Sequence, residues 1–234
     1  FISTSANWVI AVDAQTGVER WRFDPGLPKD IRYSSSASRG VSLWHGSAAV
    51  CPSRIFLGTL IGELIALDAL TGEPCSDFGV NGRVDLSKGA GSVELGEYSI
   101  TSPPAILGDL VIVGSAIGDN RATDLERGIV RAIDAQTGSI QWLWDPIPKS
   151  TNDKARATWN GDSNLRTGAA NAWAPLTADP SSGLIYVPTS SPSPDFFGGE
   201  RLGDNLYSNS IVALNGFTGE VVWFQQLVRH DLWD

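Results

Sequence analysis

The residues best suited to chemistry stand between repeated segments of the chain. Arg39 occurs in SRGVSLWHG, Trp173 in NAWAP, Asp119 and Asn120 in a Gly-Asp-Asn triplet, and Asp234 at the end of HDLWD. A guanidinium can stabilise developing negative charge, an indole can support a flat ring, and oxygen ligands suit a hard cation. A carboxylate can accept a proton. A surface salt bridge, packing between sheets and an ordinary turn remain the alternatives for the first three positions.

Further polar residues accompany these positions. Thr101 and Ser115 carry hydroxyls that can bind carboxylates or complete hydrogen bonds at strand ends. His230 and Asp231, just before Asp234, can support that carboxylate or stabilise a turn. Both alternatives stay open for each residue.

The composition excludes some classes of function. The 234 residues carry 17 Lys and Arg against 26 Asp and Glu, a formal net charge of -9, whereas phosphate binding needs clustered cations. We therefore expect no nucleic-acid partner. No apolar run reaches the length of a membrane-spanning helix, and the first residues lack the features of a signal peptide.

Four segments that align without gaps predict the elements that position these residues. They are VIAVDAQTGVERW (9–21), LIALDALTGEPCS (64–76), VRAIDAQTGSIQW (130–142) and IVALNGFTGEVVW (211–223). Each predicts a β-hairpin, because an apolar run is followed by Asp or Asn, then Thr-Gly for the positive-φ turn position, then a second strand. A tryptophan ends three of the hairpins and should pack between neighbouring sheets, whereas Ser76 takes its place in the second.

The repeat predicts an all-β fold of the β-propeller type. Strands RIFLGT (54–59), LVIVGS (110–115) and LIYVPT (184–189) precede three of the hairpins and complete units of three or four antiparallel strands. Four hairpins correspond to three complete blades and one initial hairpin, too few for a closed propeller. We therefore expect residues 1–234 to form one incomplete domain, a fragment of a longer protein.

Two cysteines, Cys51 and Cys75, are 24 residues apart and do not form a CxxC pattern. A disulfide closing that loop would stabilise the fold by about 3 kcal/mol in the chain-entropy model and would indicate an oxidising compartment. Spacing alone is equally compatible with two buried thiols.

The repeat AxDAxTGxxxW resembles the tryptophan-docking motif of dehydrogenases that use pyrroloquinoline quinone (PQQ), which form eight-bladed propellers. SRGVSLWHG, YSITSPPAILGDLVIVGSAIGDN, NAWAPLTADPSSGLIYVP, PDFFGG and RHDLWD resemble, in order, segments of the membrane-bound glucose and quinate dehydrogenase branch. The resemblance covers essentially the whole chain and about half of the propeller. Residues 33–38 contain no cysteine, so the vicinal disulfide of methanol and ethanol dehydrogenases is not expected.

This resemblance implies a role for each candidate. Trp173 would form the floor under PQQ, Arg39 would lie beside the quinone, and Thr101 and Ser115 would bind its carboxylates. A second group of residues would ligate a cation and accept the proton of the substrate hydroxyl. Asp119 and Asn120 would ligate Ca²⁺ or Mg²⁺, and Asp234 would be the catalytic carboxylate. Ser191 stands where the alcohol dehydrogenases have a further metal-ligating Asn, which leaves the choice of metal open.

The implied activity is oxidation of an aldose, polyol or cyclic alcohol by hydride transfer to PQQ, with electrons passing to a membrane quinone or a cytochrome. The implied location is the bacterial periplasm, with any membrane anchor outside this chain. The alternative is a cofactor-free propeller that binds other proteins, since assembly scaffolds carry a similar repeat. The joint presence of Arg39, Asp119, Trp173 and Asp234 favours the enzyme, because a scaffold does not need them.

Overall fold

The computed structural model describes residues 1–150 and 154–233, so Asp234 lies outside the described residues. The strands form four antiparallel sheets that follow one another along the chain, together with one two-stranded pairing. Helical residues of the described part are confined to α1 (Ser163–Arg166) and two 3₁₀ turns (Lys154–Thr158 and Gly198–Glu200). In this part of the chain no helix is long and apolar enough to cross a membrane.

The first sheet has three strands and the other three have four each. Sheet 1 contains β1 (Ile2–Ser3), β2 (Val9–Val12) and β3 (Glu19–Phe23). Sheet 2 contains β4 (Ser42–His45), β5 (Ser53–Gly58), β6 (Glu63–Asp68) and β7 (Arg83–Asp85). The two-stranded pairing joins β8 (Tyr98–Ser99) to β11 (Ala116–Ile117). Sheet 3 contains β9 (Ala105–Leu107), β10 (Leu110–Val113), β12 (Val130–Asp134) and β13 (Ile140–Trp144). Sheet 4 contains β14 (Thr177–Asp179), β15 (Leu184–Pro188), β16 (Ser210–Asn215) and β17 (Val221–Gln226).

A hydrophobic core fills each space between successive sheets. The central strands of sheets 2 and 3 are apolar on both faces because each of these sheets packs against two neighbours. Val9 packs with Ile55 and Ile65 between sheets 1 and 2. Corresponding clusters lie between sheets 2 and 3 and between sheets 3 and 4. This stack of antiparallel sheets confirms the predicted all-β, propeller-type fold.

The four predicted hairpin turns share one geometry. In each, the Asp or Asn side chain accepts backbone N–H groups two and three residues later, and the glycine adopts a positive φ near 75°, which favours a residue without a Cβ. The four acceptors are Asp13, Asp68, Asp134 and Asn215. The four glycines are Gly17, Gly72, Gly138 and Gly219.

The repeat tryptophans join one sheet to the next. The Trp21 indole N–H donates to the Ala69 carbonyl at 3.2 Å, and the Trp142 indole N–H donates to the Gly216 carbonyl at 2.9 Å. The Trp142 ring lies over Gly219, where an added Cβ would come within 2.6 Å of it. Each ring therefore packs on the Asx-Thr-Gly turn of the following repeat, as the sequence predicts.

The second repeat, which has Ser76 instead of tryptophan, is joined to the third by a buried arginine. The Arg54 guanidinium donates to the carbonyls of Ala135 and Gln136 at 3.1 and 2.7 Å. It also forms an ion pair with Asp77 at 2.7 Å. At this junction, charge-assisted hydrogen bonds of Arg54 connect the two sheets, whereas an indole connects them at the other junctions.

Cys51 and Cys75 form a disulfide with a Cα–Cα distance of 5.9 Å, which settles the alternative left open by their spacing. The disulfide lies next to the Arg54 network, because the Cys51 carbonyl accepts a hydrogen bond from the Arg54 Nε at 3.1 Å. It therefore ties the loop before β5 to the segment after β6, where the network is built.

Candidate functional site

Four of the predicted site residues line one polar cleft of about 340 Å³. Arg39 comes from the loop before β4, Thr101 follows β8, Asp119 follows β11 and Trp173 precedes β14. Residues more than 130 positions apart thus meet at the edges of three successive sheets. The cleft combines an aromatic face, a cation, a hydroxyl and carboxylate oxygens in one place.

Arg39 and Trp173 are in direct contact. The Arg39 Cζ lies 5.0 Å from the centroid of the Trp173 ring, within the range of a cation–π interaction. Trp173 keeps 45% of its surface exposed, unlike the repeat tryptophan Trp142. The backbone N–H of Arg39 donates to the Thr101 carbonyl at 2.9 Å, which fixes the arginine next to the β8 segment. Arg39 and Trp173 thus contact each other at the cleft, and Trp173 does not occupy a tryptophan position of the repeat.

The position of Trp173 is set by hydrogen bonds to its carbonyl. Ser102 Oγ donates to this carbonyl at 2.6 Å, and Thr101 Oγ1 approaches it at 3.4 Å. The loop before sheet 4 is thereby tied to the segment that leads into sheet 3. These bonds fix the backbone of Trp173, while its side chain lines the cleft in contact with Arg39.

Ser115 is buried and does not line the cleft. Its hydroxyl has no hydrogen-bond partner among the described residues and faces a small cavity of about 10 Å³, which it shares with Thr101 and Trp173. Its carbonyl accepts a hydrogen bond at 2.7 Å from the side-chain amide of Asn171, and Asn171 does line the cleft. Ser115 therefore reaches the cleft only through Asn171, whose side chain it holds at the cleft wall.

The predicted metal ligands are separated by the structure. Asp119 lines the cleft, whereas Asn120 does not contribute to its lining. The Asn120 amide oxygen accepts the backbone N–H of Phe196 at 3.1 Å, which joins the loop after β11 to the segment after β15. Within residues 1–150 and 154–233 no three His, Cys, Asp or Glu side chains are grouped as ligands of one metal.

The structure adds polar residues to the cleft that the sequence did not single out as ligands. Asp195 lines the cleft and is only 8% exposed. Ser191 also lines it, and its hydroxyl donates to Asp231 Oδ2 at 2.5 Å. Asp195 lies in PDFFGG and Asp231 in HDLWD, two segments that resemble the dehydrogenase branch. The sequence of these segments does not show which of their side chains reach the cleft or its wall.

Comparison with known proteins gives one family over the whole chain. Residues 1–234 match the model of the β-propeller domain of PQQ-dependent glucose, ethanol and alcohol dehydrogenases. The chain is 34% identical to quinoprotein glucose dehydrogenase A of Acinetobacter calcoaceticus and 33% identical to quinate/shikimate dehydrogenase (quinone) of Acinetobacter baylyi. Each alignment covers 100% of this chain and 31% of the relative.

Solved structures agree with the sequence relatives. Quinohemoprotein alcohol dehydrogenase from Comamonas testosteroni superposes with a TM-score of 0.83 at 29% identity, over 100% of this chain and 34% of that protein. A europium-containing methanol dehydrogenase superposes with a TM-score of 0.72 at 26% identity, over 97% of this chain and 39% of that protein. The chain thus spans about a third of the length of these proteins. It belongs to the family of PQQ-dependent glucose, ethanol and alcohol dehydrogenases and forms part of their β-propeller domain.

Proposed function

We propose that this chain carries the cofactor cleft of a PQQ-dependent dehydrogenase that oxidises an aldose, polyol or cyclic alcohol. The observation that supports this most directly is the meeting of Arg39 and Trp173, 5.0 Å apart, in a single cleft. A scaffold that only binds other proteins does not need a guanidinium over a half-exposed indole. Family membership supports the same proposal.

The residues of the cleft fit the proposed cofactor. PQQ is flat and carries three carboxylates, so it needs a stacking surface together with cationic and hydroxyl partners. Trp173 offers the surface, Arg39 the cation and Thr101 a hydroxyl, in a cleft whose volume of about 340 Å³ is typical of small-molecule sites.

When bound, PQQ would supply the hydride acceptor. Arg39 would hydrogen-bond to oxygens at which negative charge develops, and Asp234 would take the proton of the substrate hydroxyl. Trp173 would hold the ring from below, while Ser115 would act through Asn171 and the cleft wall.

The cation would be Ca²⁺ or Mg²⁺, held by oxygen ligands. Asp119 offers a carboxylate in the cleft, and the Asn120 amide oxygen retains a second lone pair beside its bond to Phe196. A cation at this place would keep a neighbouring catalytic carboxylate ionised. The proposed electron acceptor is a membrane quinone or a cytochrome, and the proposed location is the periplasm.

The test is reconstitution of the chain, within its full-length protein, with PQQ and Ca²⁺ or Mg²⁺. We expect reduction of an artificial dye with an aldose or cyclic polyol as donor. Asp234→Asn should lower kcat by about 10²–10⁴-fold while PQQ binding is kept. Trp173→Ala should weaken PQQ binding itself. The exposed carboxylate variant Asp162→Asn is the matched control.

The outcomes separate the parts of the proposal. Unchanged turnover in Asp234→Asn would remove this residue from the mechanism. Unchanged PQQ affinity in Trp173→Ala would remove the indole floor, and with it the assignment of the cleft as the cofactor site.

A further inference from the structure

The segment that precedes Asp234 is fastened to the wall of the cleft by one side chain. Asp231 Oδ2 accepts hydrogen bonds from Ser191 Oγ at 2.5 Å and from Asn209 Nδ2 at 3.1 Å. Asn209 Nδ2 also lies 2.8 Å from Ser191 Oγ, so the three side chains form a closed triangle. Ser191 is 2% exposed and lines the cleft, which places the triangle at the cleft itself.

Backbone contacts hold the same segment at two adjacent points. Arg201, which is fully buried, donates from Nη1 to the Asp231 carbonyl at 2.9 Å. The Gly198 N–H donates to the Leu232 carbonyl at 3.0 Å. A Cβ at Gly198 would clash with the Asp231 carbonyl, so the two segments approach as closely as glycine allows. The chain is thus fixed through Leu232, two residues before Asp234.

We propose that Asp231 is a positioning residue, which acts through Ser191 to hold residues 230–233 at the wall of the cleft, and that turnover by the proposed catalytic carboxylate depends on this anchor. This inference rests on the proposed function. A serine hydroxyl has a single proton, and at Ser191 that proton is given to Asp231, while one lone pair accepts from Asn209. The Ser191 hydroxyl is therefore fixed in orientation. The carboxylate provides a charge-assisted bond that an alanine in place of Ser191 would remove.

The consequence for chemistry is large because a catalytic group must meet its proton at hydrogen-bond distance. A displacement of about 1 Å is enough to lower a rate by about 10²-fold. Ser191→Ala removes the side-chain link at the wall and leaves the chemistry of residues 229–234 unchanged. We expect it to lower kcat by about 10–100-fold, with PQQ affinity and substrate KM close to those of the unmodified protein.

The experiment compares Ser191→Ala, Ser191→Thr and Asp231→Asn in the full protein loaded with PQQ and Ca²⁺. Ser191→Thr keeps the hydroxyl and should recover most of kcat, whereas a merely space-filling role for Ser191 would not distinguish the hydroxyl from a methyl group. Asp231→Asn removes the negative charge of the acceptor and should also reduce kcat, and the double variant should fall no further than Ser191→Ala, because both changes act on the same bond. Ser181→Ala, in an exposed turn, is the matched control.

A second measurement does not depend on turnover. Hydrogen–deuterium exchange should show faster exchange of the peptide covering residues 228–233 in Ser191→Ala and Asp231→Asn, with sheets 1 to 3 unchanged. Faster exchange in a protein that shows no dehydrogenase activity would mean that the anchor exists but the proposed function is wrong. Equal exchange, or full kcat in Ser191→Ala, would overturn the positioning role.

Discussion

Replacement of Trp142 tests whether the repeat tryptophans join the sheets. The Trp142 indole is only 8% exposed, packs over Gly219 and donates its N–H to the Gly216 carbonyl. Trp142→Ala should lower the free energy of unfolding by about 3–5 kcal/mol, because it removes a buried aromatic side chain. The Gly216 carbonyl, which loses its hydrogen-bond donor, adds to this loss. Trp142→Phe keeps most of the ring and loses the N–H, so it should lower the free energy of unfolding by only about 1–2 kcal/mol.

Trp223 provides the matched control, because it stands at the same position of the last repeat and is 44% exposed. We expect Trp223→Ala to destabilise by no more than about half as much as Trp142→Ala, since the area that it removes from contact is smaller. Urea unfolding followed by far-ultraviolet circular dichroism would measure both free energies, and equal m-values would show that the same structure unfolds. Equal losses for the two alanine variants would refute the assignment of Trp142 as a junction between sheets.

Three further predictions concern the second junction and the half-buried Lys149. Replacing Cys51 and Cys75 by alanine should lower the free energy of unfolding by about 3 kcal/mol relative to the disulfide-bonded protein, measured under the same conditions, and the reduced parent protein should lose about the same amount. Arg54→Met should destabilise by about 3–5 kcal/mol, because it leaves Asp77 and several carbonyls without their partner, and a loss below about 1 kcal/mol would show that Arg54 does not hold the junction. Burial lowers the pKa of Lys149, so between this pKa and that of an unfolded lysine the unfolded chain binds more protons. Stability should therefore rise with pH across that window relative to Lys149→Met, and parallel stability curves for the two proteins would contradict this prediction.

The fold could be predicted from the sequence because the same hairpin turn, stabilised by the same local hydrogen bonds, occurs four times. An Asp or Asn that accepts backbone N–H groups, followed by Thr-Gly, defines each hairpin without help from distant residues. The same reasoning could not predict what replaces tryptophan at Ser76. Arg54 is 22 residues earlier in the chain and joins carbonyls 81 and 82 residues later, and no local pattern indicates such a pairing.

The candidate site was only partly predictable for a similar reason. Arg39, Thr101, Asp119 and Trp173 were chosen by type and resemblance, and the structure brings them to one cleft. The direction of a loop side chain depends on tertiary contacts that a sequence does not display. Ser115 accordingly is buried and does not line the cleft. Asn120 and Thr101 keep their expected roles as predictions, as does Asp234, which lies outside the described residues, whereas Ser115 is proposed to act through Asn171.

The bond between Ser102 and the Trp173 carbonyl has a thermodynamic consequence for the assembly of the sheets. Because it joins the floor of the cleft to the segment entering sheet 3, a ligand resting on the indole would bind only when sheets 3 and 4 are correctly packed. By linkage, free ligand at 100 times its Kd would then add about 2.7 kcal/mol to the stability of that arrangement. The protein without such a ligand would therefore unfold at a lower temperature than the ligand-bound protein.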